Sequence, residues 1–290
     1  MSLAVATTAV VRVPATCGEL LQGVGEDGPV LVSLPVDLSG TVRVTLTREP
    51  VLSVTPSLPK ARTALRLALD RAGWSGGAVV ELGGEIPAVR GMGSSTADVA
   101  GVIAGVCTLA GISLGDGELV QLMTQVEPSD SSPLPGLWVI DHVAGTRTER
   151  LGEAPIGWWV VAVDSGVAMH TLDVHRDRGA GPRLPAGLLL RTTPWNDARA
   201  LARLATESAL RNQERLPHPA FDAVWRAARR LDAPGICVAH SGSLCAVICD
   251  GSVQVREARD LLAAQGLTRV SMLRVQSPGM RVEVEAAPAA

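Results

Sequence analysis

Aromatic side chains are scarce in this chain, which has no tyrosine, one phenylalanine and six tryptophans among 290 residues. A platform on which nucleic-acid bases stack needs aromatic faces, so that class of surface is disfavoured. Charge argues the same way. The net charge is −3, with no basic excess to neutralise a phosphate polymer or an anionic membrane. Lysine is reduced to one residue, Lys60, and arginine supplies nearly all the positive charge. The five cysteines are odd in number and include no Cys-x-x-Cys pair. Cys107, Cys237 and Cys245 stand in apolar runs, as small core residues do, and the expectation is a reducing, cytoplasmic setting. No run reaches the roughly 20 apolar residues of a membrane helix. The nearest, Ala97 to Ala110, carries Asp98, Gly101 and Gly105. Met1 to Val13 has no basic segment ahead of its apolar run, which argues against a secretory signal.

What is present is a core of Leu, Val, Ala and Ile. Hydrophobic residues make up 47% of the chain and charged ones 19%, a folded, mildly acidic, soluble profile. A chain this long buries about three quarters of the surface its unfolded form exposes, so it needs no disulfide or structural metal. Strand-like and helix-like patterns alternate in both halves, which predicts an α+β fold. Strands are expected at Val10–Val13, Pro29–Leu34 and Thr41–Thr47, with Pro35–Gly40 turning the chain between the last two. Ser57 is a plausible N-cap for a helix over Ala61–Ala72 that Gly73 ends. Helices are expected from Ser94 to about Ala110 and from Asp116 to Val126. Further ones follow at Asn196–Leu216, Pro219–Leu231 and Ser252–Gln265. A division near Glu153–Gly157 gives expected domains 1–155 and 156–290.

The segment Glu85 to Gly93 runs from a predicted strand into the helix at Ser94. Gly91 and Gly93 let the backbone approach a ligand without Cβ obstruction. The helix start offers unpaired N–H groups and partial positive charge, a ready anion site. Ser94 and Ser95 add hydroxyls suited to phosphate or Mg²⁺. The string is neither a Walker loop, lacking Gly-Lys-Ser/Thr, nor the dinucleotide G-x-G-x-x-G, since Thr96 holds the sixth position. Taken alone it is equally well an ordinary turn with a serine cap.

Three motifs in order resolve that ambiguity. Pro87-Ala-Val-Arg-Gly91-Met92-Gly93-Ser94-Ser95-Thr96-Ala97 resembles the P-x-x-x-G-L-G-S-S-A-A motif of the GHMP kinase superfamily, departing at Met92 and Thr96. Pro14-Ala-Thr-Cys17-Gly18-Glu19-Leu-Leu-Gln-Gly23 is similar to its N-terminal motif. The Gly/Ser turn His240-Ser241-Gly242-Ser243 between apolar strands matches its C-terminal one. The Pro14–Gly23 string, Ser94–Asp98, Glu127-Pro-Ser-Asp130-Ser131 and Ala239–Gly242 resemble the L-threonine kinases of cobalamin biosynthesis more closely still. The resemblance covers most of the chain. It implies a two-domain fold with a nucleotide-binding N-terminal half and a ferredoxin-like C-terminal half. The implied reaction consumes ATP with Mg²⁺ and converts L-threonine to O-phospho-L-threonine. A homodimer stays open.

The resemblance also assigns roles. Pro87, Gly91, Met92, Gly93, Ser94, Ser95, Thr96 and Ala97 would hold ATP. Ser95, ahead of Ser94, and Glu127 would hold Mg²⁺. Asp130 would act as general base or orient the acceptor, its charge maintained by the metal, unless it is only an Asx-turn residue. Cys17, Gly18, Glu19, Ser241 and Gly242 would lie on the acceptor side, with Glu19 accepting an ammonium and Cys17 read first as a packing residue. Asp173 or His175 would stand near the substrate. Asp98 is read first as stabilising the start of its helix. Lys60 would touch phosphate or the adenine side, unless it is merely an exposed lysine at a helix start. The rival readings are a kinase of the same fold for homoserine, serine or mevalonate, and a catalytically silent binding protein. Retention of Ser94, Ser95, Glu127 and Asp130 disfavours the latter.

Overall fold

Two long strands set the architecture. β1 (Thr7–Gly25) and β2 (Gly28–Thr47) form an antiparallel hairpin closed at Gly25 and Gly28. The computed structural model of the chain describes residues 7–166, 181–184 and 196–286. Pairing is regular from Thr8 to Pro14, then shifts between Pro14 and Ala15, between Thr16 and Glu19, and between Glu19 and Leu21. Bulges of this kind re-aim side chains and bend the strand, and they fall on the Pro14–Gly23 motif. The expected turn at Pro35–Gly40 does not exist. The chain runs straight through it, with Pro35 opposite Thr16 and Val36 opposite Ala15. Proline has no N–H for a ladder, and it is tolerated here because the ladder is already irregular.

Nine further strands complete the sheet among the described residues. They are β3 (Leu52–Thr55), β4 (Gly77–Gly84), β5 (Leu137–Ile140), β6 (Thr148–Gly152) and β7 (Trp159–Asp164), then β8 (Gly235–Val238), β9 (Leu244–Cys249), β10 (Val270–Arg274) and β11 (Arg281–Ala286). The order is β10-β7-β9-β8-β1-β2-β4-β3, with β11 also on β1 and the β5–β6 ribbon branching from β2. β3 and β4 run parallel, and the other pairs run antiparallel. β1 is thus the seam: at Glu19 it pairs with Val238 of β8.

Helices cover the sheet. α1 (Pro59–Ala72), α2 (Ser94–Leu109) and α3 (Asp116–Thr124) pack on the first half, and α4 (Ala198–Arg215), α5 (Phe221–Arg230) and α6 (Ser252–Ala263) on the second. Leu58, not Ser57, is the N-cap of α1, without a side-chain cap bond; Pro59 supplies the preset φ instead. α2 is buried along most of its length. Its glycines explain how it lies so close to the sheet: a methyl at Gly101 would fall 2.4 Å from Val42 Cγ2. One apolar cluster joins α1–α3 to β2 and β4, a second lies under the bulged hairpin against β9 and α4, and a third lies between β7–β9 and α5–α6.

Candidate active site

The loop between β4 and α2 is held in unusual backbone conformations. Gly91 (φ 79°) and Gly93 (φ 74°) are left-handed, and so is Val89 (φ 53°). For a β-branched residue this costs about 1–3 kcal/mol, the kind of strain that collects at functional sites. Gly93 is the N-cap of α2, so the N–H groups of the first turn point out of the helix without intrahelical partners. From the other side Thr16 N donates to Met92 O at 3.0 Å, which ties the loop to the bulged part of β1.

Two side chains meet beside Ser95. Glu127, at the end of the segment after α3, is buried. It accepts hydrogen bonds from Ser95 Oγ and from Lys60 Nζ. Lys60 stands in the first turn of α1, with 31% of its side chain exposed. The sole lysine is therefore the counter-charge of the buried carboxylate. Hydroxyl and carboxylate oxygens are hard donors, and Mg²⁺ usually takes one or two of them from protein and the rest from phosphates and water. The Ser95–Glu127 pair fits that demand.

Asp130 lies one short turn further on. Its carboxylate accepts from Thr96 Oγ1 and Ser33 Oγ, both at 3.3 Å, while its N–H donates to Thr96 Oγ1 at 3.1 Å. Burial pushes its carboxyl up to about 6, helped by the charge of Glu127 and opposed by the two hydroxyls. The sequence suggested a carboxylate kept ionised by metal; the protein surroundings alone push the other way, toward neutrality. Asp98 is also pushed up to about 6 by burial and by Glu127, so its position is not simply that of a solvated acid at a helix start.

Glu19, Gln22, Leu31, Ser129, Asp130, His142 and Ser241 line a cleft that ends on Gly93–Thr96 and Glu127. Glu19 is buried and accepts from His240 N at 2.9 Å. Its carboxyl is held well above the usual range by burial and by the neighbouring charge of Asp130. His240 is buried and pushed down to about 3 by burial, Arg215 and His142, so it is neutral at pH 7. Its Nε2 lies 3.1 Å from Ser208 Oγ, and Gln22 approaches His142 at 3.3 Å. A second, largely apolar cavity of about 620 Å³ adjoins the cleft on the other side of the loop. Pro56, Leu58, Leu82 and Ile86 line it, and it shares Lys60, Val89, Ser94 and Ser95 with the cleft.

The structure thus gathers Lys60, Gly91, Met92, Gly93, Ser94, Ser95, Thr96, Glu127, Asp130, Glu19 and Ser241 on one cleft. Ala97 is buried just beneath it, and Pro87 stands exposed on the outer loop. Cys17 is buried in the core, its carbonyl 3.2 Å from Cys237 Sγ. Gly18 abuts Val238 and Gly242 backs onto Gly91, so these three support the cleft without facing it. Asp173 and His175 lie outside the described residues. Gln22, Leu31, Ser33, Ser129 and His142 escaped the sequence reading. Gln22 and Ser129 stood inside quoted motifs, and a lone histidine after an apolar run, as at His142, carries no spacing signal.

Backbone N–H groups and hydroxyls facing a hard-oxygen pair suit phosphoryl transfer, which asks a protein mainly for positioning and charge stabilisation. The class defined by fold and site is therefore a small-molecule phosphotransferase, and comparison with known proteins narrows it. Residues 59–134 match the GHMP kinases N terminal domain and residues 187–266 the GHMP kinases C terminal family. The chain is 33% identical to an L-threonine kinase of Salmonella typhimurium over 90% of both chains. It is 32% identical to an L-threonine kinase of Citrobacter freundii over 83% of this chain and 86% of that one. The crystal structure of homoserine kinase from Cytophaga hutchinsonii superposes with a TM-score of 0.69 at 16% identity, covering 98% of this chain and 99% of that one. The chain belongs to the GHMP kinases. It is an ATP-dependent small-molecule kinase.

Proposed function

We propose that this kinase transfers the γ-phosphoryl group of ATP to the side-chain hydroxyl of L-threonine, giving O-phospho-L-threonine and ADP. The observation that carries the reading is the identity to an L-threonine kinase across nine tenths of both chains. The site supports it. The apolar cavity suits a nucleotide base, and the loop between the cavities suits the phosphates. The cleft beyond holds two acids, the buried Glu19 and the half-buried Asp130, where an amino acid's ammonium group would sit.

In this reading Ser95 and Glu127 would hold Mg²⁺, which would supply neutralisation of the phosphate charge when bound. Lys60 balances Glu127 and faces the phosphates from the other side. The acceptor oxygen attacks the γ-phosphorus as its proton passes to Asp130, and the bond to the β-phosphate oxygen breaks, releasing ADP. A base poised near the working pH suits this role, as the elevated carboxyl of Asp130 does. Glu19 orients the ammonium. We further place the product in cobalamin biosynthesis, on the motif strings shared with that branch. The enzyme is placed in the cytoplasm, on its five free, buried cysteines, and the boundary near residue 155 is retained as the division between two domains.

The test is ADP release with Mg²⁺-ATP against L-threonine, L-serine, L-homoserine and mevalonate in parallel. L-threonine should be preferred. No turnover with any amino acid would sink the assignment, and a preference for homoserine, the substrate in the name of the solved relative, would move it to another acceptor.

A further inference from the structure

The phosphate loop is gripped from behind, away from both cavities, by Ser243 of the C-terminal motif and by Asp164, which no motif marks. Ser243, at the end of the 239–243 turn, donates from its N–H to Arg90 O at 3.0 Å. The hydroxyl of Ser243 donates to Asp164 Oδ1 at 2.7 Å. Asp164 ends β7, and its other oxygen lies 3.4 Å from Arg90 Nε. Arg90 is therefore held at both ends, its carbonyl by the turn and its guanidinium by Asp164. The fit leaves no slack: a methyl on Gly242 would fall 2.4 Å from Gly91 Cα and 2.7 Å from Arg90 O. Asp164 is itself fixed by Gly166 N at 2.8 Å, and Arg269 approaches it at 3.7 Å from the outer side. Its carboxyl is held below the usual range by the Ser243 hydroxyl, Gly166 and the two arginines, against its partial burial.

The peptide that this grip orients is the one between Arg90 and Gly91, next to Met92 and the cap of α2. The left-handed φ at Val89 is not a conformation that a free loop would keep. Something must over-determine it, and on this side it is the Asp164–Arg90–Ser243 contact. Misplacing oriented donors by about 1 Å can cost up to 100-fold in a positioned reaction. We infer that Asp164 is a positioning residue. Through Arg90 and Ser243 it fixes the phosphate loop from the second half of the chain, and so sets affinity for the nucleotide triphosphate rather than for the acceptor. The inference rests on reading the loop as the phosphate site and is independent of which alcohol is phosphorylated.

The experiment is direct titration of Mg²⁺-ATP into the purified full-length protein, by calorimetry, with no acceptor present. Asp164→Asn keeps the acceptor oxygen for Ser243 but loses the charge on Arg90, and Ser243→Ala removes the hydroxyl from the clamp. Each should weaken ATP binding about tenfold, while the KM for the acceptor changes less than twofold. Arg269→Ala touches Asp164 but not the loop and should bind ATP as the wild type does. Combining Arg90→Ala with Asp164→Asn should cost no more than the worse single variant, as expected for residues acting as a unit. Unchanged ATP affinity in both clamp variants would overturn the inference. So would equal losses for ATP and acceptor, or an Arg269→Ala loss as large as that of Asp164→Asn. Failure of the wild type to bind Mg²⁺-ATP would overturn the phosphate-site reading and the inference with it.

Discussion

Replacing Asp130 with Asn should make this enzyme slower and more stable at once, and the stability gain should depend on pH in a calculable way. Asp130 has its carboxyl raised from an ordinary value near 3.8 to about 6. The folded state therefore holds the proton more tightly than the unfolded state does. The resulting stability is fully present below pH 3.8 and is lost as pH rises through 6. At 1.36 kcal/mol per unit, an ionised Asp130 costs the fold about 3 kcal/mol at pH 8 and about 0.5 kcal/mol at pH 4. Asn carries no charge, but its single carbonyl oxygen cannot serve both Thr96 and Ser33 as well as the carboxylate does, a loss of about 1 kcal/mol. The net expectation is a gain of about 2 kcal/mol at pH 8 that disappears by pH 4. With an unfolding entropy of about 2.1 cal/mol/K per residue, 2 kcal/mol moves the Tm of a chain this size by about 3 °C. Thermal scans of both proteins at the two pH values, in EDTA and without nucleotide, read this directly. Turnover of the variant should fall at least tenfold. A Tm difference that is the same at both pH values, or a variant less stable at pH 8, would refute the electrostatic reasoning.

The other predictions concern the cleft and its support. Ser95→Ala and Glu127→Gln should each lower turnover about tenfold or more with the fold intact; normal Mg²⁺-ATP turnover in either would remove the metal assignment. In wild type, kcat/KM should fall about tenfold per pH unit below pH 6 if an ionised Asp130 takes the hydroxyl proton, and a flat profile from pH 5 to 8 would exclude that role. Leu31 is an apolar residue lining the cleft with Glu19 and Asp130, so on the proposed reading Leu31→Ala should shrink the preference for L-threonine over L-serine by about tenfold, the worth of one methyl; an unchanged ratio of kcat/KM would show that the methyl is read elsewhere. Gly101→Ala should cost about 1–3 kcal/mol by overpacking α2 against Val42, measured as a lowered Tm.

Local chemistry made much of this legible in the sequence. The loop Gly91–Thr96 announces itself because left-handed glycines, serines and a helix start coincide, and all of them meet at the cleft. Most helices follow from periodicity, as at α4, whose cap Asp197, accepting from the N–H groups of Arg199 and Ala200, falls inside the expected Asn196–Leu216 span. Long-range assembly was hidden. The contact between Lys60 and Glu127 spans 67 positions, and a lone lysine at a helix start carries no sign of its partner. The Asp164–Arg90–Ser243 clamp joins three elements that no motif spacing connects. β2 ran through Pro35–Gly40 because the bulges opposite it tolerate proline, and a turn-rich string cannot reveal what lies across the sheet. β5 and β7 escaped the reading as short, fully apolar or nearly continuous runs, which lack the alternation that marks a half-exposed strand.

The most direct test of the central reading is product analysis from an equimolar mixture of L-threonine and L-homoserine with Mg²⁺-ATP, resolved by mass spectrometry alongside ADP. The account predicts O-phospho-L-threonine in step with ADP, with phosphohomoserine a minor product. ADP release without phosphothreonine, or phosphohomoserine as the main product, would contradict it.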